Sequence, residues 1–337
     1  MLILDAKETG RLLDMQSCIE AVENAFRLRG LGSESASAVA GVSLHGGKLH
    51  AKLATLTLGR AYAVAKVNAN IPGNPGQRQL PSIQGVVLLF DATTGVPLAA
   101  MDSGAITAAR TAAASAVAAK WLAQSDASSL AIIGCGAQAR AHIAAMRCVR
   151  PVKTVLAYDV DKRAAESFCA EMKTLHGLEC EIAADARAAA KARIVVTLTS
   201  SKQPLLKAGD VAAGTFIAAV GADSEDKHEI GVDLLHDAAV VVDDLGQCAR
   251  IGDLHHALVS GALTIDDVRA SLDQVVSGQV KVRANESGII VFDSTGVAIE
   301  DAAAASIVYE RAAAEGVGLN AGFGGLPLAH TDQRPIQ

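Results

Sequence analysis

Leu130-Ala-Ile-Ile-Gly134-Cys-Gly136-Ala-Gln-Ala139 places a G-x-G-x-x-A spacing directly after an apolar run, and Arg140 to Met146 behind it suits a helix. Glycine spacing alone says little in a chain with 30 glycines. A strand before it and a helix after it are the context that makes it specific for a dinucleotide pyrophosphate. Gly134 permits the tight turn, Gly136 lets the backbone approach phosphate, and Ala139 allows close helix–strand packing. The helix N-terminus then offers unpaired N–H groups and a positive dipole end. The next strand ends at Tyr158-Asp159. A carboxylate there accepts from ribose hydroxyls and repels a 2′-phosphate, so NAD is expected over NADP. Lys162 and Arg163 keep NADP as the lesser alternative, and an ordinary strand-end aspartate is the other reading of Asp159. Thr199 and Ser200, in Thr197-Leu-Thr-Ser-Ser201, follow a further strand, as do Gly221 and Asp223 in Val220-Gly-Ala-Asp223. Ligands of open α/β sheets bind at such carboxyl ends. Thr199 and Ser200 suit a polar turn equally well, whereas Asp223 is a candidate for chemistry.

Two cations stand in unusual company. Lys66 lies in the apolar stretch Ala63-Val-Ala-Lys-Val67. Burial lowers a lysine's pKa and suits it to proton transfer near neutrality. Alternation also permits an edge-strand lysine turned to water, and the sequence leaves both open. Arg110 sits near the start of an Ala-rich helix, in Ile106-Thr-Ala-Ala-Arg-Thr-Ala-Ala-Ala-Ser115. It could grip a carboxylate bidentately or be an ordinary surface arginine.

The elements that must position these groups divide at Ser103. Before it, Met15 to Arg29 reads as a helix with Ile19, Val22, Ala25 and Phe26 on one face. Val39 to Leu58 reads as strands about a Gly46-Gly47 turn, followed by strands at Ala61–Val67, Ser82–Asp91 and Val96–Met101. Asn70 to Gly76 is expected as a loop. This part is strand-rich, antiparallel and capped by one helix. After the helix Ile106–Leu122, strands at Leu130–Ile133, Thr154–Tyr158, Ile194–Leu198, Thr215–Ala219, Ala239–Val242 and Gly288–Phe292 mostly alternate with helices. Such alternation argues for a parallel, doubly wound sheet. Glu300 to Ala314 is a closing helix, and the Gly/Pro-containing tail from Gly322 is expected to be loosely held.

The fold class expected is therefore α/β, a Rossmann-type sheet plus an α+β part with an antiparallel sheet. Half of the 337 residues are hydrophobic and the net charge is −6. No basic tract and no membrane-length apolar run stands out, which argues against nucleic-acid and membrane partners. Six scattered cysteines lack CxxC spacing and the nine histidines show no ligand pattern, so free thiols and no metal are expected. Met1-Leu-Ile-Leu-Asp5 meets a charge at once, unlike a secretory leader, and a cytoplasmic location is expected.

The ordered set Lys66, Pro81-Ser-Ile-Gln-Gly-Val-Val-Leu-Leu-Phe-Asp91, Ile106 to Ser115, Gly134-Cys-Gly-Ala-Gln138, Thr199-Ser-Ser201, Gly221-Ala-Asp223 and Asp293-Ser-Thr-Gly296 resembles the ornithine cyclodeaminase/mu-crystallin family, from the first helix to about Glu315. The resemblance implies Lys66 as a proton-transfer lysine, Arg110 as the substrate-carboxylate arginine, Asp223 as the catalytic aspartate beside the amine or imine, and Gln84 near the substrate. It assigns Thr111, Gly134, Gly136, Ala137, Gln138, Asp159, Thr199, Ser200, Gly221 and Ser294 to the cofactor. It also implies a homodimer, with 1–122 and 303–337 for substrate binding and dimerisation and 123–302 for the dinucleotide. Many members carry a further arginine near Ser37-Ala-Val39. This chain has none there, and Lys52 in His50-Ala-Lys52 is the expected replacement. The function implied is an NAD(H)-dependent oxidoreductase acting on the C–N bond of a small amino or imino acid. The alternatives are a cyclodeaminase-like ammonia lyase that recycles its NAD internally, and a non-enzymatic binder of the mu-crystallin kind.

Overall fold

The computed structural model describes residues 1–33, 36–283 and 285–323. Its strands form two sheets. The first contains β1 (Leu2–Leu4), β2 (Ser37–Leu44), β3 (Gly47–Leu58), β4 (Arg60–Asn70), β5 (Ile83–Asp91) and β6 (Pro97–Asp102). The second contains β7 (Ser129–Ile133), β8 (Thr154–Tyr158), β9 (Glu179–Ile182), β10 (Ile194–Thr197), β11 (Phe216–Ala219), β12 (Ala239–Val242), β13 (Ala270–Ser271) and β14 (Ile290–Asp293). A last short strand, β15 (Leu319–Asn320), returns to the first sheet beside β1. The α/β class expected from the alternation is what the chain adopts.

In the second sheet the order is β13-β12-β14-β11-β10-β7-β8-β9, and every pairing is parallel. Strand order reverses between β7 and β10, which opens a crevice at their carboxyl ends. The residues just past those ends, Gly134 and Leu198, lie at that crevice.

The first sheet runs β15-β1-β6-β5-β4-β3-β2 and is antiparallel except where β1 pairs with β6. Alternation along β4 sends Tyr62, Val64, Lys66 and Asn68 to one face, all buried, and Ala61, Ala63, Ala65, Val67 and Ala69 to the other. The buried face meets two Ala-rich helices, Ser103–Leu122 and Ala298–Glu315. Ala112, Ala113, Ala114, Ala302, Ala303 and Ala304 lie fully inside. Small side chains let these helices lie close to the sheet, which is how a chain poor in aromatics fills a core. The helix Met15–Gly30 packs on both of them. The expectation of one capping helix is thus corrected: several helices share the buried face, because two interior helices themselves need cover.

Smaller departures have local causes. The helix expected from Ile106 begins at Ser103, since the Asp102 carboxylate caps it by accepting from Gly104 N–H at 2.8 Å. The turn between β2 and β3 is His45-Gly46, and Gly47 opens β3. Within the expected loop after Asn70, Asn74–Arg78 forms a helical turn; a proline at its start is compatible with a helix N-terminus. Cys169 and Cys180 are joined, β9 running back beside the helix Lys162–His176, so free thiols hold only for Cys18, Cys135, Cys148 and Cys248. The expected loose tail lies, from residue 324, outside the described residues.

Candidate active site

At the end of β7 the chain turns on Gly134, whose φ is +100°. A Cβ there would lie 2.9 Å from the Leu198 carbonyl oxygen, so both backbone shape and space demand glycine. Gly136 faces open space and precedes the helix Ala137–Val149, whose N-terminus has no side-chain cap. An uncapped N-terminus behind a glycine turn is a ready anion site. Asp159, just past β8, accepts from Cys135 N–H at 2.8 Å and from Asp161 N–H at 2.9 Å. The helix is anchored by buried His142, whose Nδ1 faces the Gln138 carbonyl at 2.9 Å and whose Nε2 lies 3.1 Å from Ser115 Oγ. Burial holds that imidazole down at about 4, hence neutral. Thr111 is buried one turn before Ser115.

Opposite this edge, the buried face of the first sheet carries cations. Lys52 on β3 and Lys66 on β4 are direct cross-strand partners. Lys66 is 1% exposed and donates to Asp301 Oδ1 at 2.7 Å. β4 is an interior strand, so the edge-strand reading of Lys66 is overturned. Lys52 donates to the carbonyls of Thr295 at 3.1 Å and Gly296 at 2.6 Å. Arg110, also buried, donates from Nη1 to Glu300 Oε2 at 2.7 Å. Its Nε lies 2.9 Å from Asp301 Oδ1, but the N–H is not directed at it and stays unsatisfied, as does Asp301 Oδ2. Arg110 is therefore no surface arginine. Among the described residues, Glu300 and Asp301 answer two of the three cations, and Lys52 is met only by carbonyl dipoles.

The electrostatics follow from this crowding. Burial, then the Arg110 charge and that of Lys52, push Lys66 down to about 7 against the pull of Asp301. Burial and Arg110 likewise lower Lys52. Burial raises Glu300 despite Arg110. For Asp301, burial works upward, but Arg110 and Lys66 outweigh it and hold the carboxyl low.

Loops at the carboxyl end of the second sheet close the far side. Asp223 is partly exposed, pairs with Lys227 at 2.5 Å, and its charge is felt at both His50 and Lys52. Glu229, fully buried, ties these loops together. It accepts from Thr197 Oγ1 at 2.7 Å, from Thr199 N–H and Oγ1 at 2.6 Å each, and from Gly221 N–H at 2.8 Å. Asp243 does the same for the segment after β14, accepting from Ser294 Oγ, Thr295 Oγ1 and Gly296 N–H. Gly296 lies against Arg110: a Cβ there would stand 2.2 Å from Nη1.

The structure thus packs Lys52, Lys66 and Arg110 together on the buried face of the first sheet, with Asp223 near enough for its charge to act on Lys52, and puts Thr199, Gly221 and Ser294 on the loops past the carboxyl ends of β10, β11 and β14. Ser200 and Ala137 are exposed. Gln84 is not brought in. It is exposed and pairs with Ala69, so alternation turns it to the face opposite Lys66. Sequence reasoning missed Glu300 and Asp301, though two adjacent carboxylates before the alanine run of the closing helix were a usable signal. It also missed Glu229 and Asp243, whose roles arise only from long-range contacts. No cluster of metal-ligating side chains occurs among the described residues.

The chain is similar to known proteins over nearly its whole length. Alanine dehydrogenase of Archaeoglobus fulgidus is 38% identical over 317 residues, covering 94% of this chain and 97% of the relative. An archaeal alanine dehydrogenase dimer solved with NAD superposes with a TM-score of 0.91 at 37% identity, covering 96% and 99%. Thermococcus litoralis Δ1-pyrroline-2-carboxylate reductase, solved with NADH and L-proline, also gives 0.91, at 33% identity, covering 95% and 100%. The family model described as ornithine cyclodeaminase/mu-crystallin matches residues 1–316. The chain belongs to the ornithine cyclodeaminase/mu-crystallin family.

Proposed function

We propose that the chain is an NAD(H)-dependent oxidoreductase acting on the C–N bond of a small amino or imino acid. One observation carries the proposal: a buried trio of cations, Lys52, Lys66 and Arg110, only two of them answered by carboxylates among the described residues, lies against the Thr295–Gly296 loop past the carboxyl end of β14. Such a trio suits an α-carboxylate, which brings charge and several acceptors to a site holding an unsatisfied Arg110 Nε. The solved relatives bound to NAD or NADH support the cofactor reading.

Arg110 and Lys52 fix the carboxylate, and their rigid anchorage orients the adjacent carbon. Lys66, with its pKa near 7, holds or takes the proton that accompanies C–N reduction or oxidation. Asp223 at the far lip places negative charge where a protonated imine gathers positive charge. Gly134, Gly136, Ala137, Gln138, Asp159, Thr111, Thr199, Ser200, Gly221 and Ser294 are the residues that would hold NAD(H), which supplies hydride exchange at the substrate's α-carbon. NAD is preferred to NADP because Asp159 stands at the ribose end.

The reading includes a homodimer and a cytoplasmic location. The outward face of the first sheet is uncovered and apolar, with Val42 61% and Leu53 43% exposed. Contiguous apolar faces of this kind mark association surfaces. No helix among the described residues is long and apolar enough to cross a membrane.

The test is NADH absorbance with 2-oxo acids plus ammonia, ammonia being assayed in parallel. NADH consumed one-for-one with ammonia supports the proposal. Ammonia released from a diamino acid with no net NADH change would favour the lyase, and cofactor binding with neither reaction would favour the binder.

A further inference from the structure

Asp301 takes no part in the chemistry above, yet it touches two of the groups that do. It is fully buried near the start of the closing helix, Ala298–Glu315, which packs against β3 and β4. Its Oδ1 accepts from Lys66 Nζ at 2.7 Å, and Arg110 Nε lies 2.9 Å from the same carboxylate oxygen with its N–H turned elsewhere. Its Oδ2 has no hydrogen-bond partner among the described residues. An ion pair built for stability would set both oxygens against the guanidinium fork. Glu300, one residue earlier, already answers Arg110 through Nη1. A bare carboxylate oxygen in the interior is a cost to the fold, so stability is a poor account of Asp301. What the geometry does achieve is to give one ionised oxygen to the Lys66 ammonium.

We propose that Asp301 is the positioning residue for the proton on Lys66: it holds the ammonium in one place and keeps it charged among cations that would otherwise expel the proton. The inference rests on the proposed function, in which Lys66 moves a proton, and names the residue that sets it. The charges that face Lys66 come from three elements. Lys52 stands opposite on β3, Arg110 comes from the helix Ser103–Leu122, and Asp301 from the closing helix. β5, on the other side of β4, presents apolar Val87. Glu300 faces Arg110, His50 lies near enough to feel Lys66, and Asp223 and Asp243 act on Lys52. Among the described residues Asp301 is thus the one carboxylate in contact with Lys66. Arg110 and Lys66 hold its own carboxyl low, so the proton between the two stays on nitrogen. Burial, Arg110 and Lys52 push the Lys66 ammonium down, Asp301 pulls it up, and the balance is about 7. Without that pull Lys66 is neutral at neutral pH and brings no proton to a reduction that consumes one.

The experiment is the pH profile of reductive kcat/KM for the wild type and Asp301→Asn, with a 2-oxo acid, ammonia and NADH. NADH binding reports that each is folded, and the titration of ammonia itself is common to both. Asparagine keeps the shape and an acceptor oxygen but loses the charge. The inflection, at about 7 in the wild type, should move to lower pH by about 1–3 pH units, the effect of one neighbouring opposite charge. Activity lost above neutrality should return in part as pH falls. A merely structural Asp301 would lower the whole profile and leave the inflection in place, which overturns the proposal. Should Asp301→Asn fail to bind NADH, Lys66→Met is added. With no ammonium left to hold, the double variant should bind NADH as Lys66→Met does. A double variant that still fails ties the carboxylate to the fold or to Arg110 and overturns the proposal. Either overturning result leaves the proposed function standing. An NADH-binding wild type that turns over no amino or imino acid overturns both.

Discussion

Lys52 and Lys66 stand directly opposite each other across β3 and β4 on the buried side of one sheet. Like charges so placed repel, and burial removes the water that would screen them. The fold answers each differently. Asp301 takes Lys66, while the carbonyls of Thr295 and Gly296 take Lys52. The arrangement leaves Lys66 easy to deprotonate and Lys52 short of a counter-ion, and an arriving carboxylate relieves both.

A pH dependence follows. Lys66 is depressed to about 7, so it is charged below that pH and neutral above it. As an acid in the reductive direction it should lose effect as pH rises through about 7. As a base in the oxidative direction it should gain. Profiles of kcat/KM in both directions check this; Lys66→Met should remove the inflection, and a profile flat from pH 6 to 8 contradicts the assignment.

Gly296→Ala probes the anchorage of Arg110. Gly296 has φ +75°, and a new methyl would collide with the guanidinium. Left-handed backbone on a non-glycine residue costs about 1–3 kcal/mol. The expected outcome is a lowered melting temperature together with a raised KM for the amino or imino acid, NADH affinity staying near wild type. A KM unchanged in a folded variant would separate Arg110 from carboxylate binding.

Asp159 is expected to set the cofactor preference. Asp159→Ala removes a ribose acceptor and a charge that repels a 2′-phosphate. The ratio of NADP(H) to NAD(H) dissociation constants should shrink. Tighter NADP(H) binding by the wild type would reverse the assignment and point to Lys162 and Arg163.

The uncovered face of the first sheet should be covered by a second copy. Light scattering at micromolar concentration should give twice the chain mass or a multiple of it. Leu53→Glu with Leu88→Glu puts two charges on the outward face and should shift the species toward monomer. A monomeric wild type contradicts the pairing.

Much of this was legible because it is local. The glycine turn announces itself through strand, spacing and helix, and the alternation after Ser103 was enough for a doubly wound sheet. Strands of two to four residues, such as β1, β13 and β15, carry too few side chains to show a period. The burial of Lys66 could not be decided from Ala63 to Val67, since the same alternation serves an edge or an interior strand. Only the pairing of β4 on both sides settles it. Glu229 and Asp243 were illegible for the same reason: their partners lie on other elements. Gln84 shows the converse, a residue close in sequence to the right strand but turned to the wrong face by a period of two.

The central claim is that Lys66 moves a proton in a cleft whose cofactor is held elsewhere. The most direct measurement is turnover by Lys66→Met, with NADH affinity determined on the same sample and Arg110→Met alongside. The account predicts that kcat falls by about 10²–10⁴-fold in Lys66→Met while NADH binds as in the wild type, and that Arg110→Met chiefly weakens substrate binding. Full turnover by Lys66→Met on the true substrate would contradict it.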